Sequence, residues 1–195
     1  MFYLVEIEDV VAIPPRDFGR PLKKVVLERV KDAYEGKILE DLGYVVMVVD
    51  VEADPVGVLL PRDGATYHKA KAKLLCFHPR IQEVGEGEVV EITEFGAFIR
   101  VGPLDALLHI SQIMDDYITY DERHSVLVGK KTGNKLEVGD DVRFRVVAVS
   151  LTHGTTGKIG VTTRQPYLGK LEWIKKSLEK AMPEPKKAKA MAGEE

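Results

Sequence analysis

Apolar and polar residues alternate along "FYLVEIEDVVAI", residues 2–13, and this period of two predicts a strand. Pro14-Pro15 ends it, because proline has no backbone N–H to offer a ladder. The period then lengthens. In "RPLKKVVLERVKDAYEGK" the residues Leu22, Val25, Val26, Val30 and Ala33 recur at three- and four-residue steps, which predicts a helix with one apolar face. Pro21 suits its first turn and Gly36 the position just past its end. "GYVVMVVDVEAD" is β-branched and apolar almost without a break, the pattern of a strand covered on both faces. "VGVLL" and "TYHKAKAKLLCF" read as further strands, separated by the turn signal "PRDG". Together these elements make an α+β unit that ends near His78-Pro79.

The style changes after that point. "EVVEITE", "AFIRV", "ALLHI", "DDVRFRVVAVS" and "KIGVTT" predict five strands broken by glycines, the pattern of a small closed barrel. "HGTTGKIG" lacks the spacing of a phosphate loop and reads as a hairpin turn. Between the third and fourth strands, "MDDYITYDERHSVLVGKKTGNKLEVG" is long for a structureless connection and predicts a short helix or a functional excursion. Past Arg164, Leu171, Ile174, Leu178 and Met182 share one face of a second helix, and residues 183–195 read as a disordered tail.

Composition narrows the classes. With 45% hydrophobic and 30% charged residues the chain can bury a core, and a net charge of −3 argues against a general polyanion binder. Any grip on nucleic acid must be local or shared with a partner. The one cysteine, Cys76, leaves no intramolecular disulfide and fits a reducing compartment. The first residues lack a signal-peptide pattern and no apolar run approaches a membrane span, so a soluble, cytoplasmic protein is expected.

The chemistry concentrates beside Gly96. Phe95 and Phe98 flank it, and His109 follows in "LLHIS". Exposed rings on a barrel face stack bases, whereas buried ones are ordinary core, and periodicity leaves both readings open. Arg143 and Arg145 alternate on one strand, and Lys158 and Arg164 lie on the next strand and just past its end. Such cations could track a phosphate backbone. A catalytic reading finds little support. Asp115 and Asp116 are adjacent and would point apart, Ser111 near His109 lacks an acidic partner, and the histidines show no metal-ligand spacing. A metal-dependent nuclease built on Asp115 and Asp116 is the remote alternative, and no cofactor or metal is expected.

"GEVVEITEFGAFIRVGPLDALLHISQI", "GDDVRFRVVAVS" and "GKIGVTTR" together resemble the S-one RNA-binding domain, an OB-type barrel. That resemblance implies an RNA face at Phe95, Phe98 and His109, with Lys158 opening the last strand. Ser150 stands where the family often carries an aspartate, which weakens one implied RNA contact without disturbing the barrel. The flanking segments "IPPRDFG", "DGATYH", "SQIMDDYITYD" and "TRQPYLGKLEWI" resemble the E-prime family of archaeal RNA polymerase subunits, whose eukaryotic counterpart is the seventh subunit of RNA polymerase II.

The wider resemblance implies an α+β, truncated RNP-like docking domain at residues 1–79 and an all-β OB-fold domain with a C-terminal helix at 80–182. It implies a docking tip at Pro14, Pro15, Phe18, Gly19, Asp63 and Gly64. It also implies a non-catalytic stalk component whose partners are the RNA polymerase F subunit, the polymerase core and nascent single-stranded RNA. A free-standing RNA-binding module of translation or RNA decay is the other reading of the barrel.

Overall fold

A computed structural model describes residues 1–151 and 157–181. The expected tail at 183–195, Met182 and the turn between the last two barrel strands lie outside the described residues. The first unit contains β1 (Phe2–Ile13), α1 (Leu22–Tyr34), β2 (Ile38–Leu39), β3 (Gly43–Ala53), β4 (Val58–Leu59) and β5 (Thr66–Phe77). β1 and β5 pair antiparallel over their whole length, from Phe2 opposite Phe77 to Ile13 opposite Thr66. β3 lies on the other side of β5 with β2 beyond it, and β4 takes up pairing with β5 past the end of β3.

α1 covers one face of this sheet. Val25, Val26 and Val30 are buried against Val45, Val48, Val51, Ala70, Ala72 and Leu74. Each valine contributes about 1.5–3 kcal/mol by leaving water. Gly36, at φ +74°, turns the chain out of the helix, and Lys37 Nζ donates to the carbonyls of Asp32 and Ala33 at 3.0 and 2.7 Å.

Two expectations fail in this unit. Ala33 is exposed, and the apolar stripe continues instead through Tyr34, whose ring packs on the sheet and whose hydroxyl donates to Asp9. β3 is covered on both faces only near its start, where Tyr44 and Val46 pack on the barrel core, and beyond that Met47 and Val49 are left at 45% and 52% exposure. The sheet carries a helix on a single side, and two register shifts re-aim β3's side chains.

The second unit is a closed barrel of β6 (Val84–Thr93), β7 (Gly96–Val101), β8 (Leu104–His109), β12 (Asp141–Leu151) and β13 (Gly157–Thr162). Its order is β13-β8-β7-β6-β12, and a β12–β13 ladder closes the ring. β13 runs parallel to β8, and the other barrel pairs are antiparallel. Ile99, Leu108, Phe144, Val146 and Ile159 fill the interior.

The insertion between β8 and β12 folds as a small antiparallel sheet of β9 (Ile118–Asp121), β10 (Val126–Gly129) and β11 (Lys135–Leu136). Of the two alternatives for this segment, a short helix or a functional excursion, the helix does not form within it. The nearest helical turn, Ile110–Gln112, precedes the excursion. Leu127 and Leu136 tie this sheet into the barrel core, and strand pairing satisfies its backbone, so no helix is needed. β14 (Gly169–Lys170) pairs with β12 and leads into α2 (Leu171–Ala181), which buries Ile174 and leaves Leu178 exposed.

The two units share packing. Phe77, the last residue of β5, belongs to the barrel's core cluster, and its ring lies 5.0 Å from that of Phe2. Gly102 sits beneath them at φ +65°, where an added Cβ would come within 2.9 Å of the Phe2 ring. Gly133, at φ +67°, has open space around it and provides a matched control. Gly133→Ala should lose about 1–2 kcal/mol from backbone strain alone. Gly102→Ala should lose measurably more in the same denaturant titration, because the Phe2–Phe77 contact must also shift. Equal losses would mean that the junction yields without cost.

Candidate nucleic-acid interface

β7 begins at Gly96, paired with His109 at the end of β8. Gly96 adopts φ +153°, and a Cβ there would collide with the Leu108 carbonyl oxygen. Only glycine permits this approach of the two strands. Beyond it the alternation of β7 sends Ala97 and Ile99 into the core and Phe98 outward. Phe95 lies in the preceding turn, where its carbonyl accepts from the Ile110 amide at 2.9 Å. The rings of Phe95 and Phe98 meet edge to face, with centroids 6.1 Å apart. Phe95 is 45% exposed and Phe98 is half-buried outside the core cluster.

His109 completes the group. It is exposed, and its Nδ1 accepts from the Ser111 amide at 3.2 Å and lies 2.8 Å from Ser111 Oγ. An accepting Nδ1 places the proton of the neutral ring on Nε2, which has no partner among the described residues and is free to donate. Ser111 therefore orients the imidazole. The His-x-Ser spacing is visible in the sequence, but that Ser111 orients the ring is not.

The cations divide. Outward-facing Phe98, Leu107 and Gly160 lie opposite one another across β7, β8 and β13. Lys158 is two residues from Gly160 on that same face, exposed and without an ion pair among the described residues. Arg164 donates to the Ser111 carbonyl at 3.2 Å and to Asp115 at 2.6 Å, so it borders His109 while already paired. Arg143 is elsewhere, on the part of β12 that pairs with β6 and β14, and it holds Glu86 at 2.8 Å. Arg145 turns to Gln82 at 3.4 Å, with its Nε buried and unpartnered among the described residues. The face thus gathers Phe95, Phe98, His109, Lys158 and Arg164, and leaves out Arg143 and Arg145.

Asp115 and Asp116 do point apart. Asp115 meets Arg164, whereas Asp116 accepts from the amides of Tyr117, Lys131 and Thr132 and from the Thr132 hydroxyl, at 2.6–2.9 Å by their shortest contacts. These donors, the Thr132 amide foremost, hold the Asp116 carboxyl below its ordinary range.

At the far end of the first unit, the candidate tip residues come together. Pro15 stands 3.3 Å from where a Cβ of Gly64 would lie, and Asp63 accepts from the Tyr67 hydroxyl at 2.5 Å. Phe18 and Gly19 are exposed beside them in the turn before α1, which Asp17 pins through Arg20 and Arg29. The sequence pattern marks "VGVLL" as a strand but does not show that the segment accompanies this tip as exposed apolar surface. Val56, Val58, Leu59 and Leu60 are all exposed, and only Val58 and Leu59 pair as a strand. The buried His68 ring, which meets the Asp54 carbonyl at 2.9 Å, holds the segment's base. An apolar run too short to pack on either face was the available signal.

Known families match both units. Residues 8–64 match the SHS2 domain found in N terminus of Rpb7p/Rpc25p/MJ0397, and residues 78–155 match the S1 RNA binding domain. The DNA-directed RNA polymerase subunit Rpo7 of Saccharolobus solfataricus is 43% identical over 89% of this chain and 97% of its own. The chain belongs to the Rpo7 family of archaeal RNA polymerase subunits. The Rpo7 of Sulfolobus acidocaldarius is 38% identical over 93% of this chain and 99% of its own. DNA-directed RNA polymerase III subunit RPC8 of Bos taurus is 28% identical over 75% of each. Within this Rpo7-family chain the aromatic face lies on the S1 barrel and the apolar tip on the SHS2 unit. No helix among the described residues is long and apolar enough to cross a membrane.

The Asp116 clamp carries a pH dependence. Its carboxyl is lowered on folding, so its contribution is present above the ordinary carboxylate range and is lost as pH falls through the folded value. Hydrogen-exchange protection at the Lys131 and Thr132 amides should drop in acid below about pH 4. Asp116→Asn should show the lower protection at neutral pH as well, and unchanged protection would mean the backbone holds this turn unaided.

Proposed function

We propose that this chain is a non-catalytic stalk subunit that docks on the polymerase core through its first unit and binds nascent single-stranded RNA on its barrel. The observation that carries the reading is the Phe95–Phe98 pair beside His109, partly exposed on a closed S1 barrel. Bases stack on such rings whatever their sequence, and Lys158 and Arg164 supply local charge to a chain that is acidic overall. Residues 1–79 act as the docking domain, with Pro14, Pro15, Phe18, Gly19, Asp63 and Gly64 as its tip. The exposed run Val56–Leu60 extends that tip with apolar surface of the kind that marks protein contacts. Residues 80–182 act as the RNA-binding domain. The RNA polymerase F subunit is the stalk partner, and the assembly works in the cytoplasm, in initiation and elongation.

Phe98→Ala separates platform from core. A lost stacking partner weakens RNA binding by about 1–3 kcal/mol with little change in melting. A lost core ring would instead cost about 3–5 kcal/mol of stability. Unchanged RNA affinity with a collapsed melting temperature would return Phe98 to the core. Docking is tested separately: Phe18→Ala combined with Leu59→Ser should reduce co-purification with the polymerase core while RNA affinity is retained. Co-expression with the F subunit should give one gel-filtration peak, and two independent peaks at micromolar protein would refute that partnership.

A further inference from the structure

We propose that the cleft between the barrel and its inserted sheet is a second RNA subsite, where Tyr117 stacks a base and Lys131 and Arg164 receive the adjoining phosphates. The proposal rests on the RNA reading of the barrel face and lengthens the track beyond it. The cleft has a volume of ≈380 Å³ and is lined by Ser111, Met114, Tyr117, Lys131, Arg164 and the two aspartates. Ser111 joins it to the platform, because the same residue orients His109 and takes a hydrogen bond from Arg164. A strand leaving the Phe95–Phe98–His109 group past Ser111 therefore enters this cleft.

Tyr117 has the setting of a stacking residue. It is 68% exposed, yet it is held in place. The Lys130 amide donates to the Tyr117 carbonyl at 2.9 Å, and Lys130 Nζ stands 4.5 Å from the ring centroid. A cation over one face of the ring leaves the other for a base. The opposing turn is built in advance. Asp116 grips the Lys131 and Thr132 amides, and Gly129 passes so close that a Cβ would come within 2.7 Å of Asp116 Oδ2 and Thr132 Oγ1. An ordered turn loses little further entropy when it is occupied.

The electrostatics also favour an anionic strand. Four donors absorb the charge of Asp116, and Arg164 offsets Asp115. Lys130 and Lys131 have no ion pair among the described residues. Charged side chains set beside the Tyr117 ring suit phosphate and base, whereas the tip offers only apolar surface.

Oligonucleotide length supplies the test. OB-type barrels cover about 4–16 nucleotides, so a short probe can occupy the platform alone. Fluorescence anisotropy with the full chain would use labelled oligouridine of about 5 and about 15 nucleotides. Tyr117→Ala should weaken the long probe by about 5-fold or more and leave the short probe within about 2-fold, while Tyr117→Phe retains the affinity. Lys131→Ala, at an exposed side chain, should shallow the salt dependence of the long probe by about 0.7 in log–log slope. Phe98→Ala should weaken both probes.

If neither probe binds the wild-type chain, the RNA reading itself fails. If Phe98→Ala acts while Tyr117→Ala and Lys131→Ala change nothing at any length, only the second subsite is overturned. Loss of polymerase co-purification in Tyr117→Ala with RNA affinity intact would assign the cleft to protein contact and also overturn it.

Discussion

The candidate RNA face depends on the way β12 closes the barrel. Its first half pairs with β6 and its second half with β13, and a register shift between Val146 and Ala148 lets one strand serve both. Closure brings β13 alongside β8, an adjacency between strands far apart in the chain. Phe98, His109 and Lys158 then lie on neighbouring strands of one outward surface. Without the ring, Lys158 would have no relation to the aromatic pair. The close approach at Gly96 acts within this frame, since it sets the register that places His109 beside the turn carrying Phe95.

Charge is spent locally. Many of the arginines are held by carboxylates: Arg20 by Asp17 and Glu28, Arg29 by Asp17, Arg100 by Asp105, Arg143 by Glu86 and Arg164 by Asp115. Such surface pairs contribute little to stability, but they set which cations meet an anion without first giving up a carboxylate. Lys130, Lys131 and Lys158 are among the cations without an ion pair among the described residues, and all three lie on the barrel or its insertion. An acidic chain can in this way present a small basic track. Two different surfaces result, an apolar tip at one end of the molecule and a polar aromatic face on the barrel.

The junction between the units makes those surfaces parts of one molecule. Phe77 is both the last residue of β5 and a member of the barrel core, so the strand that holds the first sheet together also ends inside the second unit. Phe2, paired opposite it, rests over Gly102 at the end of β7. A side chain added at Gly102 in the β7–β8 turn would therefore press on Phe2 and Phe77, at the barrel ends of β1 and β5.

Local pattern alone determined most of the elements: β1, α1, β5 and the five barrel strands follow from periods of two and 3.6 with proline and glycine at their ends. The motif around Gly96 likewise marked Phe95, Phe98 and His109, because a glycine kink between alternating strands needs only neighbouring residues to define it. Long-range pairing decided the rest. Met47 and Val49 read as core, but no second layer covers them, and the number of layers is not a local property. The insertion read as a helix or excursion because its three short strands are stabilised only by pairing with each other and by Leu127 and Leu136 reaching the barrel. Arg143, Arg145, Lys158 and Arg164 looked equivalent in the sequence. Only the fold distinguished them, because a cation's availability depends on which carboxylate the folded chain brings within reach.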